Sequence, residues 1–222
     1  MTTPQYMTDN NTSQREANNP ALFNTWRHFN LSIKAQPEDY KQHSQRILFA
    51  LQSGLNKFLS GALQDLFIAS GENAHSLRNR MYKLVLPLLD QNDREYFHEW
   101  LAHGSDKTLP CYRFPGAVLT STTCMGSEGE PDPYLPRQTG SLLEKSRHAI
   151  TYGRIETAQA QLEDAFTRST TKAETSLVEE MLSLYAATRQ KDKLIRFADD
   201  LKQQKYILSS HWKQVLESTK EW

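Results

Sequence analysis

Between residues 140 and 217, small and bulky apolar side chains recur at helical spacing around a glycine, a pattern that few folds accommodate. The run Tyr152-Gly153-Arg154-Ile155-Glu156-Thr157-Ala158, with Leu162 and Ala165 behind it, reads as a helix end, a turn at Gly153 and a second helix. Ala158, Leu162 and Ala165 share one face, and methyl side chains at that seam let two antiparallel helices approach closely. A second pair follows, with Leu177, Met181, Leu184 and Tyr185 on its first helix and Leu194, Phe197, Ala198 and Leu201 on its second. The spacing predicts helices over 141–152, 155–168, 174–188, 192–203 and 209–219. Tyr152 and Tyr185 lie 33 residues apart, which suggests a degenerate repeat of about that period. In that register Ala186-Ala187-Thr188-Arg189 stands where a turn glycine is expected.

The amino-terminal half is helical by the same criterion. Leu22, Trp26 and Phe29 suit a short helix, and Pro37-Glu38-Asp39 is a helix-start signal. The apolar series Ile47, Leu48, Leu51, Leu55, Phe58, Leu59, Ala62, Leu63, Leu66 and Phe67 keeps a 3.6-residue rhythm for over five turns. Gly54 and Gly61 interrupt it and imply a kink near Ser53-Gly54 or a close crossing. Two further helices are predicted, one through Leu77, Met81, Leu84 and Val85 with Asn73 or Ser76 as cap, ended early by Pro87. The other opens on the capping-box spacing of Asn92 and Glu95 and closes at Gly104.

From 105 to 138 helix propensity collapses under Pro110, Pro115, Pro131, Pro133 and Pro136. The β-branched stretch 117–123 either pairs with 111–114 across Pro115-Gly116 as a short hairpin or belongs to an irregular linker; 127–136 reads as linker. Four units result: a disordered arm over 1–19, a helical bundle over 20–104, a linker with a candidate hairpin over 105–139, and a helical-repeat domain over 140–222. The fold class is all-α.

Composition removes several function classes. The 26 basic and 26 acidic side chains among 222 residues cancel, so no global field draws the chain to nucleic acid or an anionic membrane. No run of about 18 apolar residues is present, and residues 1–19 lack the basic-then-apolar order of a secretory signal. The cytoplasm is therefore the expected compartment, with Cys111 and Cys124 reduced. His98 and His103 are five apart on a helix, hence about 140° apart around it, which is poor zinc geometry. No phosphate loop, serine elbow or paired His-Glu metal helix occurs, so neither a cofactor nor a catalytic residue is expected.

The series Tyr152-Gly153-Arg154, Ala158, Leu162, Ala165, Leu177, Leu184-Tyr185, Phe197, Leu201 and Trp212 looks like a tetratricopeptide-type repeat and resembles the helical repeats of bacterial FimV-like proteins. Those proteins are associated with type IV pilus assembly and polar organisation, so the resemblance implies a scaffold. Bottom-up, stacked hairpins display side chains of each first helix, here Glu144, Arg147, Tyr152, Glu180 and Ser183, to a protein partner. The expected function is a non-catalytic adaptor; an accessory subunit of an enzyme complex is the alternative, and a nucleic-acid-associated factor a third.

Overall fold

The computed structural model describes residues 19–71, 73–104, 112–120, 140–168, 174–219 and 222. Among them are ten α-helices and no strand: α1 (Pro20–Ala35), α2 (Tyr40–Gln52), α3 (Leu59–Ser70), α4 (His75–Val85), α5 (Gln91–His103), α6 (Leu142–Thr151), α7 (Ile155–Arg168), α8 (Thr175–Ala187), α9 (Lys191–Gln203) and α10 (Ser210–Ser218). The all-α expectation holds, and the five carboxy-terminal helices start and stop within two residues of the sequence reading. Of the arm over 1–19 only Asn19 is described, as the cap of α1; residues 1–18, both cysteines and the proposed linker over 127–136 lie outside the described residues.

Caps explain most of the boundaries. Asn19 accepts from Leu22 N ahead of Pro20, Asp39 accepts from Lys41 N and Gln42 N, and Ser141 with Glu144 forms a reciprocal capping box. Three sequence expectations shift here. Asp39 caps α2 and Pro37 stays outside it; Asp90, which accepts from Asp93 N, opens α5 in place of Asn92; and α4 starts after a left-handed Ala74 with no side-chain cap. The expected kink at Ser53-Gly54 is a full break. Leu55 N bonds to Ala50 O and Gly54 N to Leu51 O, a Schellman ending with Gly54 at φ +65, and a 3₁₀ turn (Asn56–Phe58) leads into α3.

α2 packs on α1 and α3, and α4 on α3. In the second half α6 packs on α7, α7 on α8, and α8 on α9, while α1 lies against both α6 and α8. Every residue of α3 from Leu59 through Phe67 is buried, so it is enclosed on all sides. Two apolar clusters result, and they share elements: α1 gives Phe23 and Trp26 to the amino-terminal cluster but Leu31 and Ile33 to the other, and Tyr152 reaches back into the first.

Residues 112–120 make the same link. Phe114 belongs to the amino-terminal cluster and Val118 to the carboxy-terminal one, so this stretch is a buried tie where the sequence suggests a linker or hairpin. Pro115-Gly116 does form a turn, closed by Ala117 N donating to Phe114 O with Gly116 at φ +82, but among the described residues no strand flanks it; 111 and 121–123 of the candidate hairpin lie outside them. Low helix propensity says only that a segment is not helical. Burial depends on whether its backbone groups find partners, and here side chains supply them. Asp65 accepts from Val118 N and Leu119 N at 2.8–2.9 Å, Gln64 accepts from Phe114 N and donates to Tyr112 O, and Arg46 donates to Gly116 O and Asp65 Oδ2, each at 2.5 Å. Arg46 and Asp65 are both 0% exposed. Arg113 extends the lock, donating to Ala117 O and Gly153 O.

Candidate protein-interaction face

Two turns of identical design set the geometry of the carboxy-terminal half. Arg154 N bonds to Ala149 O and Gly153 N to Ile150 O; likewise Gln190 N bonds to Tyr185 O and Arg189 N to Ala186 O. Both are Schellman endings, with Gly153 at φ +77 and Arg189 at φ +54. The structural period is thus 36 residues (189 − 153), and Arg189 occupies the glycine position. The 33-residue spacing of the tyrosines is a coincidence of composition: Tyr152 corresponds to Thr188, while Tyr185 corresponds to Ala149.

That period organises the residues singled out from the sequence. Glu144 and Glu180 are equivalent positions on α6 and α8, as are Arg147 and Ser183, one turn further along each helix. Arg147 crosses diagonally between the helices, and its Nε and Nη2 donate to Glu180 Oε2 at 3.1 and 2.8 Å. Glu144, Arg147 and Ser183 are exposed and Glu180 is half-buried. Glu144 also accepts from Ser141 N, and those capping bonds hold its carboxyl below the usual range.

Tyr152 does not belong to this face. It is 1% exposed, stacked on His148 at 4.4 Å between centroids and edge-on to Phe58, and its hydroxyl accepts from Lys57 Nζ at 2.6 Å. A residue in the cap position, pointing into the neighbouring core, cannot be displayed to a partner. Sequence spacing placed it on a helix end without revealing that the amino-terminal cluster covers that end.

α1 fills part of the side that α6 and α8 present. Trp26 Nε1 donates to Thr151 O at 2.9 Å, Asn30 Nδ2 to Ile150 O at 2.7 Å, and Arg27 Nη1 to Thr151 Oγ1 at 3.2 Å. The first two bonds go to carbonyls of the last turn of α6 and the third to the Thr151 hydroxyl, and together they pin α1 to that turn. Lys34 pairs with Glu156 on α7. Neither Asn30 nor Arg27 stands out in the sequence, because their partners on α6 lie 120 or more residues away.

Between the hairpins Glu163 accepts from Tyr185 Oη, Lys193 Nζ and Gln159 Nε2 at 2.8–2.9 Å, and Gln190 Nε2 donates to Gln159 Oε1. Burial works against the Glu163 charge, but these donors outweigh it and draw its carboxyl below the ordinary range; burial and the Glu163 carboxylate together push Tyr185 upward. The cluster fixes how α7 meets α8 and α9. Among the described residues no group of three His, Cys, Asp or Glu side chains could hold a metal ion, and His103 turns to Glu99 at 3.1 Å. No helix among them is long and apolar enough to cross a membrane. No family model, curated protein or solved structure matches this chain.

Proposed function

We propose that this protein is a non-catalytic cytoplasmic adaptor that binds another protein through the face shared by α6 and α8. The observation that carries this reading is the ladder of equivalent positions, Glu144 with Glu180 and Arg147 with Ser183, set side by side by a 36-residue period. Repetition of a polar pattern on adjacent parallel elements suits recognition of an extended or helical segment of a partner. The Arg147–Glu180 bridge is exposed on the arginine side and half-buried on the glutamate side, and as a partly solvated ion pair it contributes only about 1 kcal/mol to stability. The tetratricopeptide-type pattern and the resemblance of the series from Tyr152 to Trp212 to FimV-like proteins supply the setting, a bacterial envelope or pilus-related assembly.

The test is a paired substitution, Arg147→Glu with Ser183→Arg, in the full chain expressed in its native background. Both positions are exposed, so the melting temperature should stay within a few degrees of wild type. Crosslinked partners recovered by the wild-type chain should be lost by the variant. Recovery of the same partners by both chains, or of none by the wild type, would refute the assignment.

A further inference from the structure

At the far end of the last hairpin, a half-open groove of about 450 Å³ lies between the end of α9 and α10, lined by Lys202, Tyr206, Ile207, Leu208, Lys213 and Leu216. We propose that it is a second docking site, which takes the apolar face of an acidic amphipathic helix from a partner protein.

Its shape is fixed by the backbone on both sides. α9 ends in a fourth Schellman turn, with Lys205 at φ +59 and Tyr206 N bonded to Leu201 O, and Ser209 caps α10 by accepting from Trp212 N. Between these two anchors Leu208 is turned into the carboxy-terminal core, while Ile207 is 87% exposed, far above any other large aliphatic residue described. An isoleucine held in water by a fixed loop, at the lip of an apolar recess, is arranged as a knob beside a hole.

Three observations select the occupant. The floor is apolar, with Leu208, Leu216 and the ring of Tyr206, and its volume falls in the range that encloses a few side chains. Both charged residues that line it are cationic. Among the described residues Lys202 pairs with Asp199, three residues back in an exposed pair, which a partner carboxylate can replace. The projecting Ile207 needs a complementary recess, which a small amphiphile lacks, and a flat lipid surface cannot reach the buried Leu208. A helix with leucines one turn apart and glutamates at their flanks meets all three conditions.

This site lies on other helices than α6 and α8 and does not rest on the function proposed above. The test is methyl-resolved NMR of the full chain, titrated with a synthetic helical peptide carrying leucines at i, i+3, i+4 and i+7 flanked by glutamates, and with its counterpart in which lysine replaces glutamate. The acidic peptide should produce saturable shifts centred on Ile207, Leu208 and Leu216, and the basic one should bind at least tenfold more weakly. Ile207→Ser and Lys213→Glu should each weaken the acidic peptide at least tenfold, with the melting temperature unchanged because both side chains are exposed. Equal binding of the two peptides, shifts mapping elsewhere or no shifts would overturn the proposal. So would the same methyls moving with anionic phospholipid vesicles in place of the peptide, or with protein concentration alone, which would make the occupant a membrane or a second copy.

Discussion

At residues 153 and 189 the chain makes the same turn, with the same two hydrogen bonds and the same left-handed residue, yet one position is glycine and the other arginine. The difference lies in what stands opposite. A Cβ on Gly153 would come within 2.2 Å of Ala117 O, whereas Arg189 is exposed. Local backbone demands are met by either residue at modest cost. Only the approach of the 112–120 tie makes glycine obligatory, so long-range packing has written itself into a turn that looks purely local.

Four substitutions bear on that contrast. The largest effect is expected for Asp65→Ala, which strips the tie of its main acceptor and leaves Arg46 buried with no counter-charge. The loss should be about 3–5 kcal/mol by denaturant unfolding. A change below 1 kcal/mol would mean that the tie is not held by this carboxylate. Gly153→Ala comes next, at about 2–4 kcal/mol from the left-handed penalty and the forced retreat of Ala117 O; a cost no larger than that of Arg189→Ala would erase the distinction between the two turns.

A smaller, pH-dependent effect is expected at Asp93 of α5, whose carboxyl meets Ser60 at the start of α3. Burial, with Asp90 adding to it, raises its carboxyl from 3.8 to about 6, while the Ser60 hydroxyl donates to it and opposes the shift. Because the folded chain holds this proton more tightly than the unfolded one, the contribution to stability is full below about pH 3.8. It is lost as pH rises through about 6. Asp93→Asn should flatten the stability profile across that window; an unchanged slope would place the carboxyl in water. The smallest effect is Arg189→Gly, which relieves left-handed strain at an exposed site and should stabilise by up to about 1 kcal/mol.

Legibility in the sequence follows the same division. The hairpins α6–α7 and α8–α9 rest on contacts between neighbours in the chain, so Ala158, Leu162, Leu194 and Ala198 announce the buried face through spacing alone, and all four are buried. Glu144, Arg147 and Ser183 are exposed as that spacing implies. Tyr152 is not, because the elements that cover it come from residues 57–58, almost a hundred positions away. Gln64 and Asp65 had a faint signal: two polar residues on a helix whose other positions are apolar nearly all round. Gly61 had another, since a Cβ there would meet Pro115 O at 2.1 Å. The sequence suggested a close approach at this glycine but could not say that the approaching backbone was a loop rather than a helix.

Amide hydrogen exchange at Val118 and Leu119 addresses the buried tie most directly, because both groups donate to Asp65 inside the joined cores. Protection as strong as that of the α3 amides, collapsing in Asp65→Ala, is the outcome required if residues 112–120 bind the two halves into one body. Exchange at the rate of an open loop, while α3 stays protected, would show two independent halves and leave the α6–α8 face without the support assigned to it.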